Sequence, residues 1–141
     1  MEQHLLVLLL PRRLERFGLE AQARELLRAP GVVAVDPARI PVGRIPAPVA
    51  AGLAVGQAKR MRLPGTPAAV AIFHPAQFYL AGALLARHPR AELWYGEAEP
   101  GERAGLDELH ASAAARAALT FPATPDLDPT PLRLRMAELG I

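Results

Sequence analysis

The chain alternates short aliphatic runs with segments of helical period. Leu5-Leu6-Val7-Leu8-Leu9-Leu10 is continuously aliphatic until Pro11 stops it, which suits a central strand covered on both faces. Pro11-Arg12-Arg13 opens a polar connection up to Gly18. Leu19 to Arg28 then places Leu19, Ala23, Leu26 and Leu27 on one side and Glu20, Arg24 and Arg28 on the other, the pattern of an amphipathic helix. Glu20 and Arg24 form a favourable i,i+4 pair, and Pro30-Gly31 ends the segment. Val32-Val33-Ala34-Val35 reads as a second strand, closed by Asp36-Pro37. Pro37, Pro41, Gly43 and Pro46 make the next stretch a loop. Ala47 to Arg62 is alanine-rich and predicts a helix, with Pro48 tolerated in its first turn. Gly52 and Gly56 lie one turn apart in it. Glycine is costly inside a helix, so close packing of this helix on the sheet is the expected reason. Gln57, Lys59 and Arg60 exclude a lipid setting for that pair.

The clearest strand is Ala68-Ala69-Val70-Ala71-Ile72-Phe73, which runs into His74-Pro75 and then a helix from Ala76 to Arg87. His88-Pro89 ends that helix. Glu92-Leu93-Trp94-Tyr95 predicts a fourth strand, and Gly96 to Gly105 an acidic loop. Leu106 to Ala117 predicts a helix with Leu106, Leu109, Ala113 and Ala117 in a stripe. Ala118-Leu119-Thr120-Phe121 predicts a fifth strand, and Pro131 to Leu139 a last helix with Gly140 as its C′ residue. Strands alternating with helices at this spacing predict an α/β class protein. The expectation is a single Rossmann-like three-layer domain over residues 1–141, with a parallel sheet of about five strands and helices on both faces.

Composition narrows the functions. The apolar share of 51% matches one buried core, and the formal charge is only +2. Lys59 is the single lysine among 16 basic residues. Basic and acidic residues are interleaved and aromatics are few, so nucleic acid is not an expected partner. Without cysteine there is no disulfide and no thiolate chemistry. The amino-terminal aliphatic run is preceded by acidic rather than basic residues and followed by Pro11-Arg12-Arg13 instead of a small-residue cleavage site, so it reads as the first strand of a cytoplasmic protein. No run approaches the roughly 18 apolar residues of a membrane span, although peripheral membrane contact is compatible with the arginines.

Several chemistries lack their residues. Pro11-Arg12-Arg13 stands where a dinucleotide-binding GxGxxG would follow the first strand, and there is no GxxxxGK[ST]. A receiver-type phosphorylation site needs acids after the first strand and an aspartate after the third; Pro11 and His74 stand there instead. Ser112 is the only serine and lies in an alanine-rich helix, so no nucleophile elbow exists. The four histidines are scattered, and no metal is expected.

Phe73-His74-Pro75, the helix after it, Ala91-Glu92-Leu93-Trp94-Tyr95, Leu106-Asp107-Glu108-Leu109-His110 and Leu119-Thr120-Phe121-Pro122-Ala123-Thr124 together resemble the amino-terminal half of two-domain glycosyltransferases of the GT-B type, group 1, family 4. The resemblance implies an acceptor-side domain for a small molecule or glycan, with a nucleotide sugar as co-substrate and no tightly bound cofactor. It implies hexosyl transfer only when a donor-binding domain is paired with it, and inactivity alone. The family's Glu-x7-Glu donor motif and the glycine-rich loop of many relatives have no counterpart in these 141 residues. A fragment or split subunit of a transferase is one expectation; the alternative is a non-catalytic Rossmann-like module that binds a partner protein or small ligand. Homo-oligomerisation is a further expectation if a face meant for a second domain stays uncovered.

His74, at the carboxyl end of a strand, is the candidate general base for an acceptor hydroxyl, with a turn-holding hydrogen bond as the competing role. Gln77 is a candidate for a sugar hydroxyl, or else caps the helix. Arg12 and Arg13 could meet a phosphate or anionic head group, or simply be solvated. Glu97 and Glu99 are candidate carboxylates, and Thr124 and Asp126 candidate pocket walls or turn formers. His110, in mid-helix, reads as structural.

Overall fold

The computed structural model describes residues 4–10, 26, 28–97, 101, 105–123 and 128–141. Five parallel strands form one sheet in the order β2-β1-β3-β4-β5: β1 His4–Leu9, β2 Val32–Val35, β3 Thr66–Ile72, β4 Glu92–Glu97 and β5 Leu119–Pro122. Helices α1 (Ala47–Arg60), α2 (Phe78–Arg87), α3 (Asp107–Arg116) and α4 (Thr130–Leu139) are described, with a 3₁₀ turn at Pro75–Gln77. The expected α/β class, parallel sheet and Rossmann-like layering are all present. The order is that of the second common doubly wound arrangement, in which the chain moves to opposite sides of β1 after β1 and after β2. None of the described helices is long and apolar enough to cross a membrane.

The continuous aliphatic run of β1 is explained by burial on both faces. Successive side chains in a strand point to opposite sides. Leu5, Val7 and Leu9 therefore join one core with Val70, Ile72, Leu93 and Tyr95, under α1, α2 and α3. Leu6, Leu8 and Leu10 join the other with Ala69, Ala71, Phe73 and Trp94, under Leu132 and Met136 of α4. Leu26 is helical and buried in this second core; the rest of the predicted first helix, apart from Arg28, lies outside the described residues.

Helix α1 buries Ala50, Ala54 and Ala58 in the core that Leu5, Val7 and Leu9 share with Leu80 and Leu84, and their small side chains let it pack closely against α2. Gly52 and Gly56 do not perform that task, contrary to expectation. They lie on the opposite side, and a Cβ added at either would meet nothing among the described residues within 4 Å. The alanines at spacing four already fill the core-facing stripe, which turns the glycines outward.

Strand β4 continues two residues past Tyr95, so Gly96 is in the sheet and not in the acidic loop. It pairs with Phe121, and a Cβ there would lie 2.8 Å from the Phe121 ring and 3.0 Å from Ala123 Cβ. Glycine marks a close approach here rather than a turn. At the other end of β4, Glu92 receives two hydrogen bonds from Arg135 of α4, each 2.7 Å, and a third from Trp94 Nε1, also 2.7 Å. These bonds hold the Glu92 carboxyl below its ordinary pKa, the Arg135 guanidinium foremost, and raise that of Arg135.

Candidate functional site at the carboxyl edge of the sheet

In open α/β sheets the ligand crevice lies beyond the carboxyl ends of the strands, where neighbouring connections diverge. Here that point falls between β1 and β3. Gln77 occupies it. The 3₁₀ turn after β3 brings the Gln77 amide back over both strand ends, and its Oε1 accepts from the Phe73 backbone N–H at 2.9 Å while its Nε2 donates to the Leu9 carbonyl at 2.9 Å. Phe73 and Leu9 are almost wholly buried, and so is Gln77 at 4% exposure. The side chain thus completes the backbone hydrogen bonding of two strands that have run out of ladder. Beside it remains a cavity of about 20 Å³, the size of one water, walled by Leu10, Ile40, Gln57 and Leu80.

His74 is likewise built into the turn. It is 4% exposed, and its Nδ1 accepts from the Ala76 backbone N–H at 3.1 Å, capping the 3₁₀ turn. Its extended backbone is an ordinary conformation for the residue before a proline (φ −155°, ψ 141°). This bond is a contact of the turn-holding kind weighed for the residue. Glu97 is exposed at the end of β4, where its carbonyl accepts from the Ala123 N–H, and its side chain does not line the cavities described here. Arg12, Arg13, Thr124, Glu99 and Asp126 lie outside the described residues. No two of the described candidates other than His74 and Gln77 share a turn.

A roomier crevice opens on the same edge of the sheet but one layer out. It measures about 410 Å³ and lies between the loop before α1 and the start of α3, over the first turn of α2. Val42, Ile45, Leu106 and Leu109 supply apolar walls, Tyr79 forms the floor, and Asp107 and Glu108 are exposed at the rim. Gly43, with φ +90°, turns the loop toward Leu106, whose Cδ2 would lie 3.6 Å from a Cβ at that position. Below α3 the buried Tyr95 hydroxyl meets His110 Nδ1 at 2.8 Å, with the rings 5.5 Å apart. That contact gives His110 the structural role expected of it, and it fixes the helix that carries the rim.

The lining residues went unselected in the sequence because each has a stronger local reading. Tyr79 scans as a core residue of α2. Asp107 and Glu108 scan as the favourable acidic first turn of α3. Only the fold brings residues 42–50, 79 and 105–109 together, and no short-range spacing encodes that meeting. Among the described residues no group of three or more His, Cys, Asp or Glu could hold a metal ion. Comparison with family models, with curated proteins and with solved structures found no match to this chain.

Proposed function

We propose that this chain is a small-molecule-binding Rossmann-like module whose ligand seats in the crevice between α1 and α3. The observation that carries this reading is a contrast along one edge of the sheet. At the switch point both polar atoms of the Gln77 amide are spent on backbone groups and His74 Nδ1 accepts from the Ala76 N–H, whereas the neighbouring crevice has a ligand-sized volume of about 410 Å³. Its chemistry selects a class of ligand. Apolar walls, a tyrosine and two rim carboxylates suit a neutral hydroxylated molecule or an amine on an apolar body, and they repel phosphates. The glycosyltransferase-like role is the narrower form of this proposal: the crevice would receive the acceptor, and a donor-binding partner domain would bring the nucleotide sugar. In that form His74 holds its turn and the catalytic base comes from elsewhere.

Calorimetric titration with methyl glucoside, benzylamine and uridine diphosphate glucose tests the reading. Methyl glucoside or benzylamine should bind the chain alone, and Ala47→Trp, which places an indole at the crevice mouth, should weaken that binding at least about tenfold. Binding of the nucleotide sugar alone, undiminished by Ala47→Trp, would overturn it.

A further inference from the structure

We infer that the amino edge of the sheet is a docking surface for double-stranded nucleic acid, held through its phosphate backbone. In a parallel sheet each connecting helix ends beside the start of the next strand, so the carboxyl ends of α1, α2 and α3 lie together along that edge. They carry Lys59, Arg60 and Arg62, then Arg87 and Arg90, then Arg116, all exposed. The Arg116 guanidinium leans toward α2, 3.8 Å from where a Cβ on Gly82 would stand, which joins the last cation to the row. Among the described residues none of the six has an acidic partner. Basic residues in a last helical turn offset the helix dipole, which accounts for Lys59, Arg60, Arg87 and Arg116 one by one. It does not account for Arg62 and Arg90, which lie past the helices, or for the lack of any described acid among the six.

Acids and bases alternate along the chain, which speaks against nucleic acid on sequence alone, but folding sorts them. Asp36, Glu97, Asp107, Glu108 and Asp128 stand at the carboxyl edge. The described acids at the amino edge, Glu92 and Glu138, are both bound to Arg135 of α4, on the other face of the sheet. What the basic edge lacks selects its partner. A protein interface has an apolar core, a membrane-surface helix buries apolar side chains, and single strands stack on aromatic rings. The exposed large apolar residues Val49, Leu53, Val55 and Leu134 all stand away from these helix ends, and no described aromatic residue is exposed. A duplex needs neither, because arginine and lysine hold its phosphates without reading bases. Helices packed side by side lie about 8–10 Å apart, so the three ends span roughly 20 Å, the rise of about six base pairs. This edge is opposite the crevice and does not rest on what seats there.

Fluorescence anisotropy with the full chain and a labelled DNA duplex of about 20 base pairs tests the inference. Binding should be measurable below about 100 μM protein at about 50 mM salt and weaken roughly 100-fold by about 200 mM, as for a site that neutralises about four phosphates. Arg62→Glu/Arg90→Glu should weaken it at least about tenfold. Arg39→Glu/Arg44→Glu makes the same change of net charge at the carboxyl edge and should alter binding by less than about threefold. Either strand alone should bind more weakly than the duplex. Circular dichroism checks that both variants are folded. No binding at about 50 mM salt, an equal loss in the two double variants, or a single strand held as tightly as the duplex would each overturn the inference. So would pelleting with phosphatidylserine vesicles in place of duplex binding, the result expected if the edge meets an anionic lipid surface instead.

Discussion

Gln77 should be among the most sensitive polar residues in the described structure, although it is uncharged. Gln77→Met keeps the volume and removes both hydrogen bonds, leaving the Phe73 N–H and the Leu9 carbonyl buried without their amide partner. Each orphaned buried group costs about 1–3 kcal/mol, so the variant should lose roughly 3 kcal/mol. For a chain of this size that corresponds to a fall in melting temperature of about 10 °C. Gln77→Glu separates geometry from charge. Its protonated carboxyl can donate to Leu9 and accept from Phe73, as the amide does; its carboxylate cannot donate. Burial raises the folded-state pKa of the introduced group above its unfolded value. The protonated form therefore contributes its full stability below the unfolded pKa, and that contribution is lost as pH rises through the folded value. Urea unfolding across pH should find Gln77→Glu near wild type in acid and near Gln77→Met at neutral pH. A loss below about 0.5 kcal/mol in Gln77→Met, the size of an ordinary surface change, would refute the clamp.

Two other positions follow the same reasoning. Gly96→Ala should destabilise by about 1–3 kcal/mol, because the added methyl must displace Phe121 or Ala123; Phe121 is itself held edge-on to Phe73 at 5.8 Å. The companion change Phe121→Leu should recover part of the loss in Gly96→Ala, and full additivity in a double-mutant cycle would refute the contact. Glu92→Gln should lower the melting temperature by a few degrees at neutral pH while sparing the Trp94 contact. Because the folded Glu92 carboxyl titrates below its ordinary value, its contribution is present above that value and disappears as pH falls through the depressed one. Wild type and Glu92→Gln should therefore converge in strong acid, and a pH-independent difference between them would contradict the ion pair.

The layered architecture was legible because the code for it is local. Leu5–Leu10 and Ala69–Phe73 are apolar at every position, which only a strand covered on both faces needs, and each is punctuated by proline. The strand order was not legible, since parallel crossovers leave no trace in periodicity. Gly52, Gly56 and Gly96 show the limit in a sharper form. Glycine reports that a Cβ is absent, and only the fold reveals whether a neighbour needs the space, as Phe121 does, or none does. The Glu92–Arg135 contact spans 43 residues, beyond any motif. The candidate site was half legible. The His-Pro turn after β3 marked the right edge of the sheet, but the Gln77 amide there is consumed by backbone groups that the sequence could not show to be unpaired. The crevice residues are drawn from three segments, each with a self-sufficient local role.

A ligand in the proposed seat beside α1 and α3 leaves the His-Pro turn undisturbed. Amide NMR spectra recorded while methyl glucoside or benzylamine is added to the full chain test it most directly. The account predicts shifts at Gly43, Ile45, Tyr79, Leu106 and Glu108, with Phe73, His74 and Gln77 unmoved. Shifts centred on His74, Gln77 and Leu9, with the crevice residues silent, would contradict it.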